Sequence, residues 1–208
     1  MKEMNPIIDT FLIRLHERLE QYETTDPEII AELKNILKLW PEVPSSGKLP
    51  SPQGSPVAKY LDIALSLGDT GSESSLAAAI RPLAPFLHWT FGYPPHPLHP
   101  NLESQVSFTQ IIGPDDLGMA DRLLIGLTLL APETFYPAHM HPAVEIYIPI
   151  GGIGIWSKGN EQPTAKAPGT MILHQSGIVH TTASKLDPVL ALYIWRGDLI
   201  TSSKFITD

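Results

Sequence analysis

Cysteine is absent from this 208-residue chain, which removes disulfides, zinc–thiolate and iron–sulfur centres and thiol nucleophiles from the field. Any metal would have to sit on nitrogen and oxygen. Charge is scarce as well: Asp, Glu, Lys and Arg make up 17% of the residues and the formal net charge is −8. Neither a nucleic acid nor an anionic membrane is an expected partner of such a surface; a small molecule is, and a homo-oligomer is compatible with it. No run approaches the ~20 apolar residues of a membrane span. The start, MKEMNPIIDTFLIRLHERLE, breaks its apolar stretches with charges and has no signal-peptide core, so the expected location is the cytoplasm. The length suits one substantial core with an accessory part.

Two patterns divide what is present. Ile8, Phe11, Leu12, Leu15, Leu19 and Tyr22 recur at three- and four-residue steps, the period of an amphipathic helix. Asp26, Pro27 and Glu28 then read as cap, first turn and acid of a second helix whose stripe is Ile29, Ile30, Leu33, Ile36 and Leu37. PEVPSSGKLPSPQGSP reads as an irregular connector, either inert or a lid, followed by helices from Ser55 through Leu65 and from Ser74 to Leu83. After Pro85 short β-rich runs take over: SQVSFTQIIG, RLLIGLTLLAP, AVEIYIPIGG, GIGIWSKG, GTMILHQ and PVLALYIWRGD. Strands at short spacing without intervening helices mean an antiparallel sandwich or barrel. The expectation is a helical region over 1–85 packed on a β-barrel over 86–208.

The stretch YPAHMHPAVEIYIPIGG places two histidines, a glutamate and two tyrosines in a segment that otherwise reads as a buried strand. Alternate strand positions share a face, so His139 and His141 project together, as do Glu145 and Tyr147, and Pro142 marks a turn between the two pieces. His180 is expected at the far end of a later strand. Imidazoles with a carboxylate suit a divalent first-row ion, and zinc, iron, manganese, cobalt and nickel all accept such donors. For His174, His88, His96 or His99 taken singly, a hydrogen-bonded core role is the better reading.

These residues resemble the cupin superfamily. Its first motif, G-x5-H-x-H-x(3,4)-E-x6-G, is met by His139, His141, Glu145 and Gly152, with Glu133 in place of the first glycine. Gly169, Gly177 and His180 meet the second motif, with Gln175 for its proline and Ser184 for its asparagine. Tyr136, the string HPAVEIY, LHWTFGYP and YIWRGDL further resemble the cupin-type dimethylsulfoniopropionate (DMSP) lyases of marine bacteria, which also carry a helical N-terminal part. That resemblance implies a cupin-type barrel and β-elimination of DMSP to dimethyl sulfide and acrylate. His141, Glu145 and His180 would be the metal ligands, with His139 a fourth or a close neighbour. Tyr147 would be the base, Tyr136 its partner in orienting substrate, and Trp195, Trp89, Tyr93 and Phe135 candidate aromatic faces for the sulfonium. A cupin dioxygenase or isomerase acting on another small carboxylate, and a non-catalytic binding cupin, are the competing expectations.

Overall fold

The computed structural model describes residues 6–41, 45–46, 54–114 and 117–206. Its α-helices are α1 (Pro6–Glu20), α2 (Pro27–Lys38), α3 (Leu61–Gly68) and α4 (Ser74–Ile80). The apolar stripe of α1 is buried along Ile8, Phe11, Leu12, Leu15 and Leu19. At the start of α2 the Asp26 carboxylate accepts the backbone N–H groups of Glu28 and Ile29, donors that have no partner inside the helix. The third helix begins later than the sequence suggests, behind a 3-10 turn at Ala58–Tyr60. The fourth gives way to a 3-10 stretch over Arg81–Phe86, where Pro82 and Pro85 lack the N–H an α-helix needs.

The strands are β1 (Ser45–Ser46), β2 (Val106–Gly113), β3 (Gly118–Met119), β4 (Leu123–Leu130), β5 (Phe135–Met140), β6 (Val144–Gly151), β7 (Gly154–Lys158), β8 (Thr164–Lys166), β9 (Ile172–His174), β10 (His180–Ala183), β11 (Val189–Arg196) and β12 (Lys204–Phe205). One sheet runs β1-β3-β2-β4-β11-β6-β9 and the other β12-β5-β10-β7-β8. This is the cupin-type barrel with a helical N-terminal part. Most of the connector lies outside the described residues, but Ser45–Ser46 pairs with β3, so it is not wholly irregular. His180 opens β10 instead of ending an earlier strand. Strands of two to four residues such as β1, β8, β10 and β12 are too short for alternation to register in sequence.

In the middle of the large sheet β4, β6 and β11 are buried on both faces. Their outward side chains, among them Ile125, Leu127, Ile146, Ile148, Ile150 and Leu192, join one apolar cluster with Phe11, Leu15 and Leu65 of the helices. Their inward side chains, Leu124, Tyr147, Ala191 and Tyr193, belong to a second cluster inside the barrel. The helices therefore cover the back of the large sheet. Contact there is backbone to backbone: a β-carbon on Gly151 would lie 1.8 Å from the Ala64 carbonyl oxygen. The Arg196 guanidinium donates to both oxygens of Glu32 at 2.6 and 2.8 Å, a fork geometry that fixes α2 to the end of β11. Among the described residues no helix is long and apolar enough to cross a membrane.

Candidate active site

Strand register assembles the site. On the large sheet Glu145 of β6 stands directly opposite Trp195 of β11 and His174 of β9, so three inward side chains form one row. On the small sheet His139 of β5 is opposite His180 of β10. The two rows meet inside the barrel, joined by His141 from the turn between β5 and β6. All five polar members are buried, Glu145 to 1% exposure and His180 likewise.

The protonation pattern follows from the partners. Nδ1 of His139, His141 and His180 lies 2.7, 3.0 and 2.9 Å from the carbonyl oxygens of Pro137, Ala143 and Ile178. A carbonyl only accepts, so each Nδ1 carries the hydrogen and each Nε2 presents a lone pair. His141 Nε2 and His180 Nε2 then sit 3.2 and 3.6 Å from Glu145 Oε2. One ligand atom from each of His141, Glu145 and His180 falls within 4.8 Å of the others, and His180 Nε2 has no hydrogen-bond partner in the described structure. Converging lone pairs on a carboxylate oxygen repel unless a cation lies among them, so the set fits a divalent ion. His139 stands beside this group, its ring 4.1 Å from that of His180.

For His139 and His180 the electrostatics agree with a neutral, ligating imidazole. Burial lowers the His180 imidazole well below its usual value, with His139 and His174 adding to the effect, and burial takes His139 down to about 3. Burial also works against a charged His141 and a charged Glu145, but each is outweighed by the other: His141 is raised, and Glu145 is held well below the usual carboxylate range by His141 and His174. The remaining Glu145 oxygen, Oε1, accepts the Trp195 indole N–H at 2.6 Å.

A cavity of about 200 Å³ opens onto this cluster. Tyr136 and Tyr147 line it, and burial pushes both phenols well above their ordinary value. The Tyr147 hydroxyl is 3.1 Å from Thr128 Oγ1. Tyr136 shares a hydrogen bond with the Tyr93 hydroxyl and stacks on His139, centroids 3.8 Å apart. Leu199 to Ser203 form part of the rim, carried there between β11 and β12, whose Phe205 pairs with His139.

The sequence profile of the dimethylsulfoniopropionate lyases matches residues 35–191. The chain belongs to that family. It is 35% identical over 148 residues to a provisionally named dimethylsulfoniopropionate lyase, DddL of Cereibacter sphaeroides, across 70% of this chain and 61% of DddL; the match thus spans under two thirds of that relative. It is 27% identical over 188 residues to the dimethylsulfoniopropionate lyase DddQ of Ruegeria pomeroyi, across 86% of this chain and 94% of DddQ. The crystal structure of DddQ from Ruegeria pomeroyi DSS-3 matches over 97% of each chain with a TM-score of 0.81 at 22% identity, a likeness of fold.

Within this DMSP lyase family member, His139, His141, Glu145, Tyr136, Tyr147, Tyr93 and Trp195 all line the one cavity, and His180 closes on it through Glu145. Trp89 and Phe135 are elsewhere. Trp89 is buried with the helices in the outer cluster, because the chain crosses from the helical layer into the barrel between it and Phe91. Phe135 is 47% exposed; as the neighbour of Tyr136 on a strand it must point to the opposite face. His174, read singly as a core histidine, donates Nδ1–H to Glu145 Oε2 at 3.0 Å. Phe91 and Phe108 also line the cavity and were not anticipated, although Val106, Phe108 and Gln110 alternate on β2.

The motif departures are accommodated locally. Glu133, in the place of the first cupin glycine, adopts φ 53°, a left-handed conformation in which glycine carries no steric penalty. Ser184, in the place of the asparagine, accepts the Thr134 N–H and donates to the Ala131 carbonyl, tying the same turn together.

Proposed function

We propose that the protein is a metal-dependent lyase that cleaves dimethylsulfoniopropionate to dimethyl sulfide and acrylate by β-elimination, with Tyr147 as the base. The observation that carries this reading is the composition of the cavity. Among the described residues lining it there is no Lys or Arg, and its one acidic side chain, Glu145, has both oxygens engaged. A substrate carboxylate finds no fixed cation in such a lining. A divalent ion held by His141, Glu145 and His180, with His139 beside them, would supply Lewis acidity to that carboxylate and positive charge near the reacting carbon.

The protein's own groups account for the rest. The Tyr147 oxygen takes the proton from the carbon next to the carboxylate; the C–H electron pair becomes the C=C bond, and the C–S pair leaves with neutral dimethyl sulfide. Burial, and after it the charge of Glu145, oppose a phenolate at Tyr147, so the assignment depends on a divalent ion held at Glu145, two residues away in the strand. Tyr136, oriented by Tyr93 and by its stack on His139, holds substrate against that base. Trp195 holds Glu145 and, with Tyr93, offers an aromatic face to the sulfonium.

The test is direct. Purified, metal-loaded protein incubated with DMSP should release dimethyl sulfide detectable by headspace gas chromatography; no release above a chelated control overturns the reading.

A further inference from the structure

The short strand β9 lies along the proposed base and the proposed ligand. Its Ile172 stands opposite Tyr147 and its His174 opposite Glu145, and His174 donates to Glu145 Oε2 at 3.0 Å. Three residues are near the lower limit of strand length. β9 is also the last strand of the large sheet, so the backbone groups on its outer edge have no strand to meet and must find partners elsewhere.

Side chains supply those partners. Tyr22, just past the end of α1, accepts the Met171 N–H on its hydroxyl at 3.3 Å. From β7 the Lys158 ammonium donates to the Leu173 carbonyl at 3.3 Å. Met171 and Leu173 flank Ile172, and alternate residues turn their backbone groups to the same side of a strand, so both bonds fall on the edge away from β6. The segment is gripped again at its start: the Arg18 guanidinium of α1 donates to the Gly169 carbonyl and to the buried Glu73 carboxylate, each at 2.8 Å. The central carbon of that guanidinium lies over the Tyr22 ring, 5.0 Å from its centroid, which fixes where the Tyr22 hydroxyl points. The helical part thus reaches round the sheet and holds β9 by its free edge.

We propose that Tyr22, oriented by Arg18, and Lys158 are positioning residues: they clamp β9, and with it His174, against Glu145, and by that route they set how tightly the site holds a metal. A hydrogen bond weakens steeply as its angle closes, so slack in β9 reaches Glu145 through the His174 N–H. This rests on the metal reading of the site and deepens it by giving residues of the helical part and of β7 a share in the cluster's geometry.

Arg18→Ala would leave the Glu73 carboxylate buried and unpaired, so milder changes make the test. Tyr22→Phe removes one oxygen and Lys158→Met one charge. The zinc dissociation constant, measured by competition with a chelator, should rise about threefold in each, less than for a group bonded directly to a metal ligand. Lys158→Arg keeps a donor and should restore the affinity. The deciding comparison is made in the His174→Ala protein, where the route to Glu145 is cut and Tyr22→Phe should have no further effect. Unchanged affinity in the single variants, or an equal loss with and without His174, overturns the clamp. In the metal-free protein, the Nδ1 hydrogen of His174, followed by nuclear magnetic resonance, should exchange with water faster in Tyr22→Phe than in the unmodified protein; equal exchange also overturns the clamp. That second reading separates the clamp from the parent proposal: faster exchange in a protein that releases no dimethyl sulfide leaves the clamp standing and removes the lyase, whereas gas release with zinc affinity indifferent to Tyr22 removes the clamp alone.

Discussion

Along β6 the two faces of one strand do different work. Ile146, Ile148 and Ile150 pack against the helices, while Glu145 and Tyr147, alternating with them, face the cavity. The outer face needs volume, and any well-fitting aliphatic set can supply it. The inner face needs particular atoms at particular places. Substitutions on the two faces should therefore fail in different ways, the inner ones losing chemistry and the outer ones losing stability.

The largest effect should come from a single oxygen on the inner face. Tyr147→Phe retains the ring and removes the proposed base, so dimethyl sulfide release should fall by roughly two to four orders of magnitude. Bound metal, measured by elemental analysis, should be nearly unchanged. Thr128 loses its partner, so a small drop in melting temperature is expected; retained turnover would remove the base assignment.

One residue along, the opposite pattern is expected. Ile148 is fully buried between β6 and the helices, and Ile148→Ala should cost roughly 2–5 kcal/mol in denaturant unfolding. The protein that remains folded should turn over at the original rate. A mutant equally stable but slow would mean that the helical layer shapes the cavity, which would blur the contrast between the faces.

How far this contrast could be read in the sequence depends on the range of the pairing involved. The stripe of α1 and the inward set His139, His141, Glu145 and Tyr147 are local patterns, and helix period and strand alternation expose them. Alternation also places Phe135 on the face opposite to Tyr136. His174 is different. Its role comes from standing across from Glu145, 29 residues earlier, and nothing within MILHQ marks that register. Trp89 and Phe91 are two residues apart yet lie in different clusters, because a chain crossing between layers obeys neither period.

His174 gives the next smaller effect. It donates to Glu145 Oε2, the same oxygen that His141 approaches, so His174→Ala should weaken metal binding by roughly 10–100-fold, read by competition with a chelator. Turnover at saturating metal should stay close to the original, a split that a direct ligand or a base would not show. If affinity is unchanged, the hydrogen bond to Glu145 does not orient the cluster.

The smallest effect concerns the cavity rim. After β11, the exposed Asp198 carboxylate accepts the N–H groups of Ile200 and Thr201 at 3.0 and 2.9 Å and the Thr201 hydroxyl at 2.7 Å. The Thr201 backbone bond, then its hydroxyl and the Ile200 N–H, lower the carboxyl below its usual value. A carboxyl lowered by folding favours the closed turn fully above its unfolded pKa, and that contribution is lost as pH falls through the folded one. Acidification below the ordinary aspartate range should therefore loosen the turn that carries Leu199 to Ser203 along the rim. Hydrogen exchange at the Ile200 and Thr201 amides, corrected for the intrinsic dependence on pH, should quicken there while amides of β6 stay protected. Asp198→Asn should flatten this response, since the amide does not titrate. Equal protection at both pH values would mean that the rim is held by its strand anchors, β11 and β12, and not by the Asp198 turn.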